Sequence, residues 1–295
     1  MHEIKLRAPG KINWTLDVVG KRLNGYHDVE MLMQSIDLSD EVILTRRASG
    51  IVIRSNSGEM PLNDWNIAVR AAKLIKESYA IKEGLDIFIQ KNIPIAAGLA
   101  GGSTDGAAVI VGLNVLWNLG LSFEQLAALG IKLGADVPFC ITGGTAIARG
   151  IGEKLTHLAS IDGVWLVLVK PPFGVSTASV YKGLILEDIK QHPDVEKVYN
   201  QLAARDYQMA AASMVNVLEQ VTIAQYTEID DIKHALIQEG AVISLMTGSG
   251  PTVYGVFRER NDAFKTLRKM REVYPQAYAV QTWSHGIEIV KGGDQ

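Results

Sequence analysis

One segment constrains this chain more than any other: Pro94-Ile95-Ala96-Ala97-Gly98-Leu99-Ala100-Gly101-Gly102-Ser103-Thr104-Asp105-Gly106. Just before it, Leu85, Ile87 and Ile89 alternate with Asp86, Phe88 and Gln90, the period of a β-strand with one strongly apolar face. After it, Ser103 to Trp117 is rich in Ala and Val on most sides, as in a buried helix. A glycine-rich turn feeding a helix brings unpaired N–H groups and the positive end of the helix dipole to one point, which favours an anion, usually phosphate. Glycine suits such a turn because it tolerates positive φ and lets a ligand approach the backbone. The plain alternative is a flexible loop before a packed helix. The order strand, glycines, Ser/Thr, buried helix favours phosphate. Two common nucleotide motifs do not fit. The P-loop needs a Lys before Ser103, and none is there. A dinucleotide fingerprint begins at Gly248-Ser249-Gly250, but Val253 stands where its third Gly belongs.

The chain has 295 residues, enough for about two domains of ordinary size. Short β-branched runs at Glu41–Leu44 and Ile51–Ile53 predict strands. Asn63 or Asp64 is positioned to cap a helix carrying Ile67, Ala71, Leu74 and Ile75, and Ser122 with Gln125 reads as a capping box. The second half opens with the apolar run Trp165–Val169. It continues with helical spacing over 176–186 and 195–218, a strand–loop–strand unit over 241–257 and a helix over 262–273. Strands and helices mix without a strict βαβ rhythm, so the fold class is α+β in both halves. The boundary falls between Gly152 and Gly163, giving domains 1–157 and 158–295 that share an interface and a cleft.

A net charge of −3 gives no reason to expect nucleic acid or an anionic membrane as partner. The longest strongly apolar run, Val164–Val169, is far short of the roughly 20 residues that span a bilayer. The first residues lack the apolar stretch of a signal peptide. The single cysteine, Cys140, excludes an intrachain disulfide and a cysteine-based zinc site. The expectation is a soluble cytoplasmic protein.

Three further segments are candidates for chemistry. In Ala8-Pro9-Gly10-Lys11-Ile12-Asn13 a lone Lys sits among Pro, Gly and apolar residues at the start of a predicted strand, where solvated surface is the ordinary reading. In Gly134-Ala135-Asp136-Val137-Pro138-Phe139 one carboxylate lies in an apolar stretch, as either a turn residue or a base. Met246-Thr247-Gly248-Ser249-Gly250-Pro251-Thr252 offers hydroxyls to phosphate oxygens, or is simply a tight turn.

The segments Pro9–Asn13, Pro94–Thr104 and Met246–Pro251, in this order and spacing, resemble the three motifs of the GHMP kinase superfamily. Gly20-Lys21-Arg22-Leu23-Asn24-Gly25-Tyr26-His27 and Leu133–Pro138 narrow the resemblance to the branch acting on a cytidine-diphosphate-linked methylerythritol in non-mevalonate isoprenoid synthesis. It runs from about residue 5 to about residue 285 and is thinnest over about 185–235. Departures are Gly10, Trp14, Ala97, Ala100 and Thr104; Ala100 matters only if its position requires positive φ.

The resemblance implies a two-domain fold, with a ribosomal S5 domain 2-like N-terminal domain, a ferredoxin-like C-terminal domain and the active site in the cleft between them. It implies ATP with Mg²⁺, and transfer of the γ-phosphoryl group to a tertiary hydroxyl, which needs a base and partners for the developing charge. Asp136 would be the base, Lys11 its neighbour stabilising the phosphate or incipient alkoxide, and Asn13 a substrate contact. Gly98, Leu99, Ala100, Gly101, Gly102, Ser103 and Thr104 would hold the phosphates, within a loop that includes Pro94 and Ala97. Ser103 and Thr104 would also touch phosphate or Mg²⁺, Asn66 and Ile67 would border the adenine, and Lys91 would reach the nucleotide. Tyr26 would stack on cytosine with His27 reading its edge, while Tyr181 is either a second stacking partner or a plain helix-surface aromatic. Thr247, Gly248 and Ser249 would close over the substrate phosphates or the transferred group. The expected partners are small molecules only, for a monomer or homodimer. Two rivals are a GHMP kinase for another alcohol, which gives no reason for Gly25-Tyr26-His27, and a non-catalytic binding protein on the same fold.

Overall fold

The computed structural model describes residues 1–290. Its first half runs β1 (Glu3–Lys21), β2 (His27–Arg47), β3 (Ile51–Ser55), α1 (Ile67–Ser78), β4 (Gly84–Gln90), α2 (Gly101–Leu116), α3 (Phe123–Gly130), α4 (Val137–Thr142), β5 (Thr145–Gly150) and β6 (Lys154–Leu158). The second half runs β7 (Trp165–Val169), α5 (Thr177–Gly183), α6 (Val195–Ala203), α7 (Tyr207–Ser213), α8 (Glu219–Gln225), α9 (Glu228–Gln238), β8 (Ile243–Met246), β9 (Val253–Phe257), α10 (Arg260–Val273), β10 (Ala277–Trp283) and β11 (Glu288–Val290). The α+β expectation holds.

The spine is β2, 21 residues long, which pairs with β1, β4, β5 and β10 at different points along its length. One sheet therefore runs β11-β1-β2-β10-β7-β9-β8 through both halves. Residue 157, after which the division is expected, lies inside β6, and the chain then runs on into β7. The chain later returns, because β10 pairs with both β7 and β2 and β11 pairs with β1. Trp14 helps join the halves. Its ring meets Tyr254 of β9 edge-on at 5.7 Å, and the Tyr254 hydroxyl donates to its carbonyl at 3.2 Å.

A register shift between Pro9 and Lys11 decides what β1 presents to the site. Before it, Leu6 and Ala8 pack into the core with α1 and α2. Beyond it, Ile12 and Trp14 join a different cluster, and Lys11 and Asn13 line the cleft. Side chains alternate with period two, so one irregularity is enough to change which residues face the helix layer.

Two sequence expectations need correction. Asn66, not Asn63 or Asp64, caps α1, its side chain accepting from the Ala68 N–H at 2.8 Å. The expected helix over 195–218 is two helices, α6 and α7, separated at Arg205, which has a φ of 59°. The Ser122–Gln125 capping box of α3 is present as expected.

Candidate active site

The glycine-rich segment is a turn of alternating handedness. Ala96, Gly98 and Ala100 have φ values of 53°, 74° and 57°. Ala100 thus does occupy a left-handed position, which costs a non-glycine residue about 1–2 kcal/mol. It is the N-cap of α2 and offers no side-chain capping bond. The helix begins at Gly101, two residues earlier than the sequence suggested. The N–H groups of Gly101, Gly102 and Ser103 fall in its first turn, where no intrahelical carbonyl is available, and they lie along the cleft wall. That is the arrangement an anion needs.

The other two motifs close onto this turn. The Lys11 N–H donates to the Leu99 carbonyl at 3.1 Å. A Cβ on Gly98 would lie 2.6 Å from the Thr247 carbonyl oxygen, so only glycine permits the first turn and the third motif to touch. Asn216 holds the third motif from behind, its amide donating to the Met246 and Gly248 carbonyls, each at 2.8 Å.

Lys11 and Asp136 meet in the cleft. Lys11 Nζ donates to Asn13 Oδ1 at 2.7 Å and lies 3.8 Å from Asp136 Oδ2. The Lys11 side chain is 6% exposed and that of Asp136 31%, so the ammonium is sheltered and the carboxylate open. Asp136 stands at the N-cap of α4 but makes no side-chain capping bond. Its carboxylate is left free for chemistry, which the turn reading did not require.

At one end of the cleft, His27 and Tyr181 are neighbours, with ring centroids 5.3 Å apart. Tyr26 stands at the lip, 60% exposed. Burial and the nearby Lys21 charge push the His27 pKa down, so its imidazole is neutral at neutral pH and offers one donor and one acceptor. Burial pushes the Tyr181 hydroxyl pKa up, which keeps it protonated.

Together these residues line one cleft of about 1080 Å³. Lys11, Asn13, Tyr26, His27, Asn66, Ile67, Lys91, Pro94, Ala97 to Ser103, Asp136, Tyr181, Gly248 and Ser249 all reach it. Three expected contacts look different in three dimensions. Thr104 is fully buried beneath the first turn of α2 and does not line the cleft. Thr247 is also fully buried, its hydroxyl accepting from the Asn13 N–H at 2.9 Å, so it positions Asn13 instead of facing a ligand. Lys91 lines the wall, but its ammonium is held by the buried carboxyl groups of Asp40 and Asp105. Their pull raises the Lys91 pKa against the effect of its burial, while burial drives the Asp105 carboxyl up to about 8. The sequence reading missed Trp65, Thr177 and Lys182, which also line the cleft; no local pattern marks them.

The family description "GHMP kinases N terminal domain" matches residues 66–144, and "GHMP kinases C terminal" matches residues 191–276. A 4-diphosphocytidyl-2-C-methyl-D-erythritol kinase of Clostridioides difficile is 47% identical over 98% of both chains. The chain belongs to the GHMP kinase family. Among GHMP kinases it groups with the 4-diphosphocytidyl-2-C-methyl-D-erythritol kinases. Another kinase of that description, from Acetivibrio thermocellus, is 48% identical over 96% of this chain and 100% of its own. The crystal structure of a 4-(cytidine 5'-diphospho)-2C-methyl-D-erythritol kinase superposes with a TM-score of 0.83 at 32% identity, covering 95% of this chain and 99% of that one. As a GHMP kinase the chain is a small-molecule phosphotransferase. Among the described residues no helix is long and apolar enough to cross a membrane.

Proposed function

We propose that this chain transfers the γ-phosphoryl group of ATP to the 2-hydroxyl of 4-diphosphocytidyl-2-C-methyl-D-erythritol, in the cytoplasm. The observation that carries this reading is the placement of Lys11 and Asp136, 3.8 Å apart, in the cleft that also holds the open N–H groups of α2 and the His27–Tyr181 pair. The α2 N–H groups hold the triphosphate. Asp136 takes the proton of the accepting hydroxyl as the new P–O bond forms, and Lys11 balances charge on the transferred group. Asn13 fixes the Lys11 ammonium through their 2.7 Å hydrogen bond. Neutral His27 reads the hydrogen-bonding edge of cytosine, while Tyr26 and Tyr181 supply stacking surface.

Mg²⁺ would enter this site together with the phosphates of ATP. Ser103, on the cleft wall, would supply a hydroxyl to it. When bound, the ion neutralises charge on the phosphate oxygens.

The test is ADP release with the cytidylyl-methylerythritol acceptor beside mevalonate, homoserine and galactose. Turnover confined to the first supports the reading. Equal or greater turnover with another alcohol overturns it.

A further inference from the structure

Trp65 is a large apolar side chain left 84% exposed on the wall of the cleft. Of the five tryptophans it is the one that lines this space. Its backbone is held in place. The Trp65 N–H donates to Asn63 Oδ1 at 3.0 Å, and the next N–H, of Asn66, donates to the Asn63 carbonyl at 3.0 Å. Asn66 in turn donates to the Pro61 carbonyl at 2.9 Å. An anchored loop thus carries an indole into open space.

The course of a bound triphosphate indicates what that indole meets. Phosphoryl transfer requires the γ-phosphoryl group at Lys11 and Asp136, beside Leu99 and the third motif. The remaining phosphates then run along the α2 N-terminus. The nucleoside leaves past Gly102, whose missing Cβ would be 3.5 Å from Ile67 Cδ1. The wall on that side is Met60, Pro61, Trp65 and Ile67, apolar and suited to a flat base.

We infer that the Trp65 indole covers the base of the phosphoryl donor. This makes Trp65 a binding residue for ATP with no part in the transfer itself, and it rests on the kinase reading above. Aromatic cover stacks on any base, so Trp65 strengthens donor binding without reading the base edge.

The experiment has three parts, all on the full-length protein. ATP is first titrated without acceptor while tryptophan emission is recorded, in wild type and in Trp65→Phe. Quenching in wild type that is lost in Trp65→Phe is expected; quenching that persists in Trp65→Phe overturns the inference. KM values are then measured. Trp65→Ala should raise KM for ATP by about 5- to 150-fold, leaving kcat and KM for the acceptor within about twofold, while Trp65→Phe keeps most of the ATP affinity. An unchanged KM for ATP in Trp65→Ala overturns the inference and leaves the kinase reading standing. Finally, inorganic tripolyphosphate, which has no base, should inhibit wild type and Trp65→Ala equally; a loss as large as that for ATP would show that Trp65 only supports the phosphate site. If wild type does not phosphorylate the cytidine acceptor, the kinase reading fails, and the emission titration still reports on Trp65 separately.

Discussion

Gly98→Ala tests how the site is assembled. Gly98 has a φ of 74°, and an added Cβ would lie 2.6 Å from the Thr247 carbonyl oxygen and 3.1 Å from that of Gly250. Both are backbone atoms, so no rotamer change relieves the contact. Ordinary van der Waals contact begins near 3.4 Å, so the third motif must retreat by roughly 0.8 Å from its 2.6 Å position. The left-handed conformation costs alanine about 1–2 kcal/mol, and overpacking adds about 1–3 kcal/mol. At about 2 °C per kcal/mol for a chain of this size, Tm should fall by about 4–10 °C. Displacing reacting groups by almost an ångström costs on the order of 10- to 100-fold in kcat. The control is Gly102→Ala, where the nearest atom is Ile67 Cδ1 at 3.5 Å and φ is not positive. That variant should keep its Tm, with any effect confined to KM for ATP. Thermal melting and a coupled ADP assay on both variants decide the matter. Gly98→Ala with wild-type kcat, or Gly102→Ala with the larger loss of Tm, would refute the reasoning.

Asp136→Asn should lower kcat by about 10²–10⁴ with ATP binding little changed; near-normal turnover would remove Asp136 as the base. Tyr26→Ala should raise KM for the cytidine acceptor by about 5- to 150-fold and leave KM for ATP alone, and a loss shared equally by both substrates would instead assign Tyr26 to the fold. Asp105 has its carboxyl pushed up to about 8 by burial, so the folded state binds a proton that the unfolded state releases near pH 4. Stability from this group is therefore full below about pH 4 and is lost as pH rises towards 8. Asp105→Asn, which stays neutral, should show a flatter Tm profile between pH 5 and 9 than wild type, and parallel profiles would contradict this.

The order of the three motifs was legible because phosphate chemistry restricts residue types locally: glycines before a helix, a Lys among small residues, an Asp after a helix. Pairing those segments was legible only through the family resemblance, since Lys11 and Asp136 lie far apart in the chain. What could not be read was the direction in which side chains point. Thr104 looks like Ser103 in sequence, yet one turns into the core and the other into the cleft. Lys91 looks like a free cation because its partners, Asp40 and Asp105, come from a distant strand and from the helix after the loop. Gly101 looks like part of the ligand surface. Its missing Cβ would in fact face Lys91 Nζ at 3.0 Å and Ile93 at 3.1 Å, so its glycine is set partly by what lies behind the loop.

The strand β10 ties the halves together, pairing with Ser35 and Ile36 of β2 at one end and with all of β7 along its length. Enzymes that swing two lobes apart to admit substrate need a connection that can bend, and a shared hydrogen-bonded ladder resists that motion. In the proposed reaction, nucleotide entry and exit would then fall to surface pieces: the tip of the β1–β2 hairpin with Tyr26, the Trp65 loop, and α5, whose Thr177 hydroxyl reaches the Ser249 hydroxyl at 2.8 Å. A cross-link between β10 and β2 should therefore leave turnover intact, while one fastening the hairpin tip to α5 should stop it.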